Sequence, residues 1–315
     1  MNIPANIIAI LGTGVWGSAL GKIVESNHHQ VRFWSHRGTT TLESVVKDAV
    51  IVVSAVSMKG VIPTANKLRS LNLPSDKIIV TATKGLDPET TRTPSQIWQR
   101  AFPHHPVVVL SGPNLSKEIA QGLPAATVLA SSNLMAAEKV QSIFASDLFR
   151  AYVNEDPIGT ELGGTIKNVI AIAAGVCDGM KLGTNAKAAL LTRALPEMIR
   201  IGTHFGASGE TFFGLSGLGD LIATCDSPLS RNYQVGYGLT QGKTLAEILA
   251  DLEGTAEGIN TTNVLIKIAD LEAIAVPITR QVHRLLRGKI NPEEAIQALM
   301  ERDLKAEFCD LEFYP

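Results

Sequence analysis

Four stretches of this chain carry residue types that do chemistry. The first is Gly12-Thr13-Gly14-Val15-Trp16-Gly17, with glycines in the order G-x-G-x-x-G behind the apolar run Ile7 to Leu11. A tight turn, a close backbone approach to a pyrophosphate and tight packing of helix on strand would each use one of these glycines. The helix that follows would offer free N–H groups and the positive end of its dipole to an anion. The second is Lys84, at the end of Ala82-Thr83-Lys84-Gly85. The third is Gly163-Gly164-Thr165-Ile166-Lys167-Asn168, where a lysine leads into a long apolar segment. Burial and a helix N-terminus would both disfavour its charged form, and a lysine tuned towards neutrality is a general acid or base. The fourth runs from Gly214 to Asn232: a glycine-rich turn presenting Asp220, then Ser230-Arg231-Asn232. A hydroxyl, a forked guanidinium and an amide side by side suit a phosphate monoester. Each has a structural alternative. Lys84 could simply be exposed, Lys167 could snorkel along the apolar face, and Ser230 could be a helix N-cap.

The dinucleotide type should be legible where the second strand, Val31-Arg32-Phe33-Trp34, ends. An NAD site places an Asp or Glu there for the ribose hydroxyls. This chain has Ser35-His36-Arg37 instead, a cation and no carboxylate. That favours a 2′-phosphate, so NADP (as NADPH) is the expected cofactor and NAD the second choice.

The elements that must position these residues follow from the pattern. A helix to about Asn27 should follow the glycine turn. Branched, continuous apolar runs mark strands at Ala49 to Val56, Lys77 to Gly85, Val107 to Pro113, Ala126 to Ala130 and Leu148 to Val153, as for strands buried on both faces. Helical segments alternate with them, at Leu42 to Asp48 and Val61 to Leu71. The expected fold is α/β: an N-terminal doubly wound Rossmann-type domain over residues 1–155. From residue 156 to 315 helical patterns dominate, at Asn168 to Met180, Ala186 to Phe205, Thr244 to Leu252, Asn260 to Ala273, Thr279 to Leu286 and Pro292 to Arg302. Thr184-Asn185 and Asn291-Pro292 read as starts and Gly206 as a stop. This is an all-helical second domain, expected to cover the crevice at the carboxyl ends of the strands.

The totals exclude several classes. A net charge of -2 gives no reason to expect nucleic acid or an anionic membrane surface. Cys177, Cys225 and Cys309 form no zinc-type spacing and read as reduced thiols. The seven histidines do not converge, so no metal is expected; only His36 lies near an expected ligand. Met1 to Asn6 lack the pattern of a signal peptide, and Val169 to Val176 is too short to span a bilayer. The expected setting is cytoplasmic, without membrane insertion.

Taken together, these residues resemble the NAD(P)-dependent glycerol-3-phosphate dehydrogenases of bacterial type over nearly the whole chain. The markers are the Gly12 to Gly17 turn, Ala82 to Gly85, Ser111-Gly112-Pro113, Lys117-Glu118, Gly163 to Ala174, Gly217-Leu218-Gly219-Asp220, Ser230-Arg231-Asn232 and Glu257-Gly258. The resemblance implies interconversion of dihydroxyacetone phosphate and sn-glycerol 3-phosphate with NAD(P)H, feeding glycerophospholipid synthesis. It makes Lys167 the proton donor and acceptor, with Asn168 orienting it, and Lys84 a contact to both substrate and cofactor. It places Gly112, Asn114, Asp220, Ser230, Arg231 and Asn232 on the substrate. It places the turn residues Gly12, Gly14, Val15, Trp16 and Gly17, with His36, Arg37, Ser116, Arg231 and Glu257, on the cofactor. The partner is then a small phosphorylated substrate, and a homodimer is compatible with it. Three departures stand out: Asn at 114 for the usual Ser or Thr, Ser at 116 for Ala, and a much shortened segment after Arg37. The rival readings are a β-hydroxyacid dehydrogenase of related plan and a non-catalytic dinucleotide sensor.

Overall fold

The computed structural model describes residues 5–252, 254–304, 306 and 307. Cys309 lies outside the described residues. The chain forms two compact units, Met1–Asp87 with Arg92–Glu161, and Pro88–Thr91 with Leu162–Pro315. The passage between them after Glu161 falls inside the helix Pro157–Gly179.

The first unit is built on seven strands: β1 (Ile7–Leu11), β2 (Gln30–Trp34), β3 (Ile51–Ser54), β4 (Ile78–Thr81), β5 (Val107–Ser111), β6 (Ala125–Ala130) and β7 (Phe149–Asn154). Their order is β2-β1-β3-β4-β5-β6-β7, all neighbours parallel except β5 and β6. The order reverses between β1 and β3, which makes their carboxyl ends the crevice of a doubly wound sheet. The glycine turn leaves β1 there.

Strand side chains alternate between two cores. Ile8, Ile10, Ile51, Val53 and Val80 face one, under the helices Val15–Ser26 and Leu134–Phe144. Ala9, Leu11, Val52 and Ile79 face the other, under Leu42–Val46, Met58–Arg69 and Pro94–Ala101. Burial on both faces is why these strands read as unbroken apolar runs. The short helix Leu42–Val46 is all that connects β2 to β3, and Thr41 caps it. The helix Pro94–Ala101 was not among the expected elements. Its start is a capping box, Thr93 with Gln96, with proline at the first position.

The second unit is helical. Its main helices are Pro157–Gly179, Gly183–His204, Arg231–Thr240, Glu257–Leu271, Pro277–Leu286 and Pro292–Met300. The last begins with the expected Asn291 cap, now a full capping box with Glu294. Thr184-Asn185 does not cap its helix; the helix starts at Gly183, after Leu182. The helix Arg231–Thr240 was also unexpected, because Gly236 and Gly238 lower helix propensity. Gly236 is there for close approach. A Cβ on it would lie 1.9 Å from the Ile172 carbonyl oxygen, and one on Gly175 would lie 2.1 Å from that of Tyr233. The two helices therefore touch backbone to backbone. No helix among the described residues is long and apolar enough to cross a membrane.

Two buried glutamates cap helices remote in sequence. Glu197 accepts the N–H groups of Ile278 and Thr279, each at 2.8 Å, at the start of Pro277–Leu286. Glu161 accepts from the Ser95 N–H at 2.9 Å and from the Ser95 hydroxyl, at the start of Pro94–Ala101. Each completes an orphan helix terminus with the favourable sign of charge. Burial pushes the Glu161 carboxyl up to about 7 from its ordinary 4.5, against the lowering effect of its hydrogen bonds to Ser95 and Thr93. Between those two values the folded chain binds the proton more tightly than the unfolded chain, so stability falls as pH rises through that window. Glu161→Gln is expected to flatten the dependence of Tm on pH between 5 and 8, and to raise Tm by a few degrees above pH 7. A variant with the unchanged wild-type slope would show that Glu161 does not titrate in this range.

Candidate active site

The glycine turn takes up the geometry its sequence predicts. Gly12 has φ of +118°, and a Cβ there would lie 2.6 Å from the Ala55 carbonyl oxygen at the end of β3. A Cβ on Gly17 would lie 2.0 Å from the Gly12 carbonyl oxygen. Around Gly14 there is open space, with nothing within 4 Å of where its Cβ would be. Gly14 is the N-cap of the helix Val15–Ser26, and no side chain caps that helix. A glycine cradle, an uncapped helix start and an exposed Val15 together fit the pyrophosphate of a dinucleotide. Trp16 donates from its indole N–H to the Ala82 carbonyl at 3.1 Å, so it is pinned to the segment that carries Lys84.

Lys84 is half-buried, and its ammonium donates to the Gly112 carbonyl at 3.3 Å. Two of the expected substrate residues are thereby joined within the first unit. Asn114 is occupied otherwise. Its amide nitrogen donates to the Ala126 carbonyl at 2.9 Å, and its oxygen accepts from the Thr127 hydroxyl at 2.9 Å. The residue latches the loop after β5 to β6. Ser116 is half-buried and opens the helix Ser116–Ala120. His36 and Arg37 are exposed, just past the end of β2.

In the second unit the structure corrects the setting of Lys167. The helix does not begin near Asn168 but at Pro157, so Lys167 sits in its middle, away from the positive end. Gly163 and Gly164 lower helix propensity. At Gly163, however, a Cβ would lie 2.7 Å from the Ser216 carbonyl oxygen, so the glycine serves close packing within a continuous helix. The helix N-terminus therefore does not act on Lys167, and a carboxylate does. Lys167 and Asp220 form an ion pair at 2.9 Å, 7% and 2% exposed. The Lys167 ammonium also donates to the Thr224 hydroxyl, which in turn donates to Asp220 at 3.1 Å. With its proton committed to Asp220, Thr224 turns a lone pair towards Lys167. The three side chains close a ring that fixes the ammonium in place.

Thr224 was not among the expected site residues. It lies one turn after Asp220 in the helix Asp220–Cys225, and that i, i+4 spacing was the signal for a shared face. The turn before it, Leu215–Gly219, is wound in π-helical form and delivers Asp220 to the helix start.

Asn168 and Asn232 are brought together by the close contact of their helices. Asn232 donates to the Asn168 side-chain oxygen at 2.9 Å and accepts from the Gly258 N–H at 3.0 Å. Asn168 donates to the Gly164 carbonyl at 3.3 Å, a bond within its own helix. Ser230, Arg231 and Asn232 are consecutive but do not point one way. Ser230 is the N-cap of Arg231–Thr240, accepting from Tyr233 N–H at 3.3 Å. Asn232 is buried in the network just described, and Arg231 is exposed. A Cβ on Gly254 would lie 2.5 Å from the Arg231 guanidinium, which places that side chain along the stretch leading to Glu257. Glu257 is half-buried, opens the helix Glu257–Leu271, and accepts from the Thr255 hydroxyl at 3.1 Å.

The same organisation is found in known proteins. Residues 156–297 match the family model described as NAD-dependent glycerol-3-phosphate dehydrogenase C-terminus, and 7–41 and 36–137 match that of the N-terminus. The chain is 66% identical over 304 residues to a glycerol-3-phosphate dehydrogenase [NAD(P)+] of Acaryochloris marina, covering 96% of this chain and 98% of that one. It is 64% identical to the Synechocystis protein of the same description, covering 97% and 96%. Among solved structures it is similar to a glycerol-3-phosphate dehydrogenase from Coxiella burnetii, with a TM-score of 0.90, 34% identity, and coverage of 95% and 99%. Residues, fold and relatives agree: the chain belongs to the NAD-dependent glycerol-3-phosphate dehydrogenase family.

Proposed function

We propose that this chain reduces dihydroxyacetone phosphate to sn-glycerol 3-phosphate, and runs the reverse oxidation, with NAD(P)H and NAD(P)⁺ as the hydride partners. The observation that carries the reading is the buried ring of Lys167, Asp220 and Thr224. A buried charge pair contributes little to stability compared with apolar packing of the same volume. A lysine held at one defined position inside a protein is suited instead to moving a proton.

In this reading the nicotinamide, when bound, supplies or accepts the hydride. The chain does the rest. Gly12, Gly14 and Gly17 admit the pyrophosphate to the start of Val15–Ser26. Lys167 gives a proton to the C2 oxygen as hydride reaches C2, and takes it back in oxidation. Asp220 holds the ammonium aimed, and Thr224 limits its rotation. Lys84, steadied on the Gly112 carbonyl, offers a positive charge to the substrate and the cofactor. Arg231, exposed and next to the Ser230 cap, provides a forked cation for phosphate oxygens. Asn168 and Asn232 hold the two helices in register, so their part is orientation. The first unit thus serves mainly the dinucleotide and the second mainly the substrate. Arg37, exposed past the end of β2 where a carboxylate would serve NAD, favours the 2′-phosphate of NADPH.

Two substitutions test this reading. Lys167→Ala is expected to lower kcat for dihydroxyacetone phosphate reduction by roughly 10²- to 10⁴-fold. NADPH binding, followed by its fluorescence, should hardly change; undiminished turnover would remove Lys167 from the reaction. Arg37→Ala is expected to raise KM for NADPH by about tenfold, the worth of one charge-assisted bond, and to leave KM for NADH nearly unchanged. Equal effects on the two would place 2′-phosphate recognition elsewhere.

A further inference from the structure

The helix Asp220–Cys225 carries two members of the Lys167 ring and is only six residues long. A helix that short has no stability of its own and takes its place from what surrounds it. Leu221, Thr224 and Cys225 are buried beneath it. Burial of Leu221 and Cys225 sets which face of the helix turns inwards, and directional polar contacts fix the angle more finely. Rotation decides where the Thr224 hydroxyl points.

Polar contacts grip this helix at both ends. At its start Asp220 pairs with Lys167. At its C-cap, Asp226 pairs with Lys187 at 3.1 Å. Lys187 is also paired with Asp178 at 2.7 Å, and its side chain is only 15% exposed. Asp178 lies on the helix that carries Lys167, about three turns further on. The contacts therefore close a loop: Lys167 to Asp220, along the short helix to Asp226, through Lys187 to Asp178, and back along the long helix to Lys167.

Tyr233 braces the same node. Its hydroxyl donates to Asp178 at 2.8 Å, its ring lies under the Lys187 ammonium at 5.8 Å, and Tyr237 stacks beside it. Tyr233 follows Asn232, so the helix that brings Asn232 to Asn168 is tied in as well. Burial works against the Lys187 charge, but its hydrogen bonds to Asp178 and Asp226 outweigh it and raise its pKa above the ordinary lysine value. The thiols nearest these charges, Cys177 and Cys225, are pushed up by burial and stay neutral. Asp226 sits at a helix C-terminus, where a carboxylate alone is unfavourable and a lysine partner reverses the sign.

We propose that Lys187 is a positioning residue for proton transfer: by bridging Asp178 and Asp226 it holds the Asp220–Cys225 helix, and with it Thr224, in register with Lys167. Lys187 touches neither substrate nor cofactor in this assignment; it acts through Thr224. The inference rests on Lys167 being the proton carrier.

A double-mutant cycle in the purified enzyme tests it. Lys187→Met is expected to lower kcat by roughly 10- to 100-fold, the usual effect of a small misplacement, with KM for NADPH unchanged. Thr224→Ala should lower kcat on its own, and adding Lys187→Met to it should change kcat by less than about twofold. Lys187→Arg should recover most of the lost turnover. Full kcat in Lys187→Met, or two losses that simply multiply, would overturn the proposal. Should Lys187→Met fail to fold by circular dichroism, Asp226→Asn takes its place in the cycle. Its carboxylate is 79% exposed, so its neutralisation leaves the core intact. A smaller loss of kcat that vanishes in the Thr224→Ala background supports the proposal; no loss, or a multiplying one, overturns it. Lys167→Ala run alongside separates the two layers. If that variant is inactive while Lys187→Met is fully active, only this inference fails; if Lys167→Ala is fully active, the reading beneath it fails.

Discussion

The second unit depends on one interaction, the contact between Lys167 and Asp220 inside the protein, 2.9 Å apart and nearly inaccessible to water. Deleting one partner of such a pair strands a charge, at about 3–5 kcal/mol, against a total stability of about 5–15 kcal/mol. That asymmetry locks both residues in place. It also dictates the geometry around them. The helix Pro157–Gly179 must run past its neighbours closely enough for the pair to form, and its glycines allow it. The Asp220–Cys225 helix must arrive with its first turn facing Lys167, and the π-wound turn before it brings Asp220 to that position. Thr224 then sets its hydroxyl against both charges.

The first unit answers to a different constraint. A dinucleotide needs its phosphates near backbone N–H groups, so no side chain can intervene at the turn. Gly12 and Gly17 meet that need by contact with Ala55 and with each other, which ties the turn to β1 and β3 at the reversal of strand order. Trp16 extends the tie to β4 through Ala82, and Lys84 extends it to β5 through Gly112. Four neighbouring strands thus share one polar rim. The shortened segment after Arg37 leaves this arrangement intact, because Thr41 and a helix of five residues suffice to return the chain to β3.

Much of this was legible in the residues. The strands declared themselves by continuous branched runs, and the glycine turn by its spacing and context. At two glycines packing overrides the local rule. Gly163 and Gly236 lower helix propensity, but each lies where a Cβ would collide with a neighbouring carbonyl. The helical pattern from Asn168 gives Lys167 a helix-end environment, whereas the helix begins at Pro157. Two glycines weaken the helical signal of Arg231–Thr240, and with it the sign that Asn232 faces Asn168. The Ser230 oxygen caps the helix Arg231–Thr240, one of the two roles its position allows. The helix Pro94–Ala101 carries its own local signal in Thr93, Pro94 and Gln96. The i, i+4 spacing of Asp220 and Thr224 marks a shared face, but it gains chemical meaning only once Lys167 stands opposite them.

The central claim is that the amine of Lys167 carries the proton. Chemical rescue addresses it most directly. In the Lys167→Ala enzyme, small primary amines of graded basicity would be supplied at saturating dihydroxyacetone phosphate and NADPH. If Lys167 moves the proton, turnover returns in proportion to amine concentration, and the rescued rate follows amine pKa along a Brønsted line. If no amine restores turnover while substrate and NADPH still bind, or if the rescued rate ignores amine pKa, the proton travels by another group and Lys167 serves only to hold Asp220.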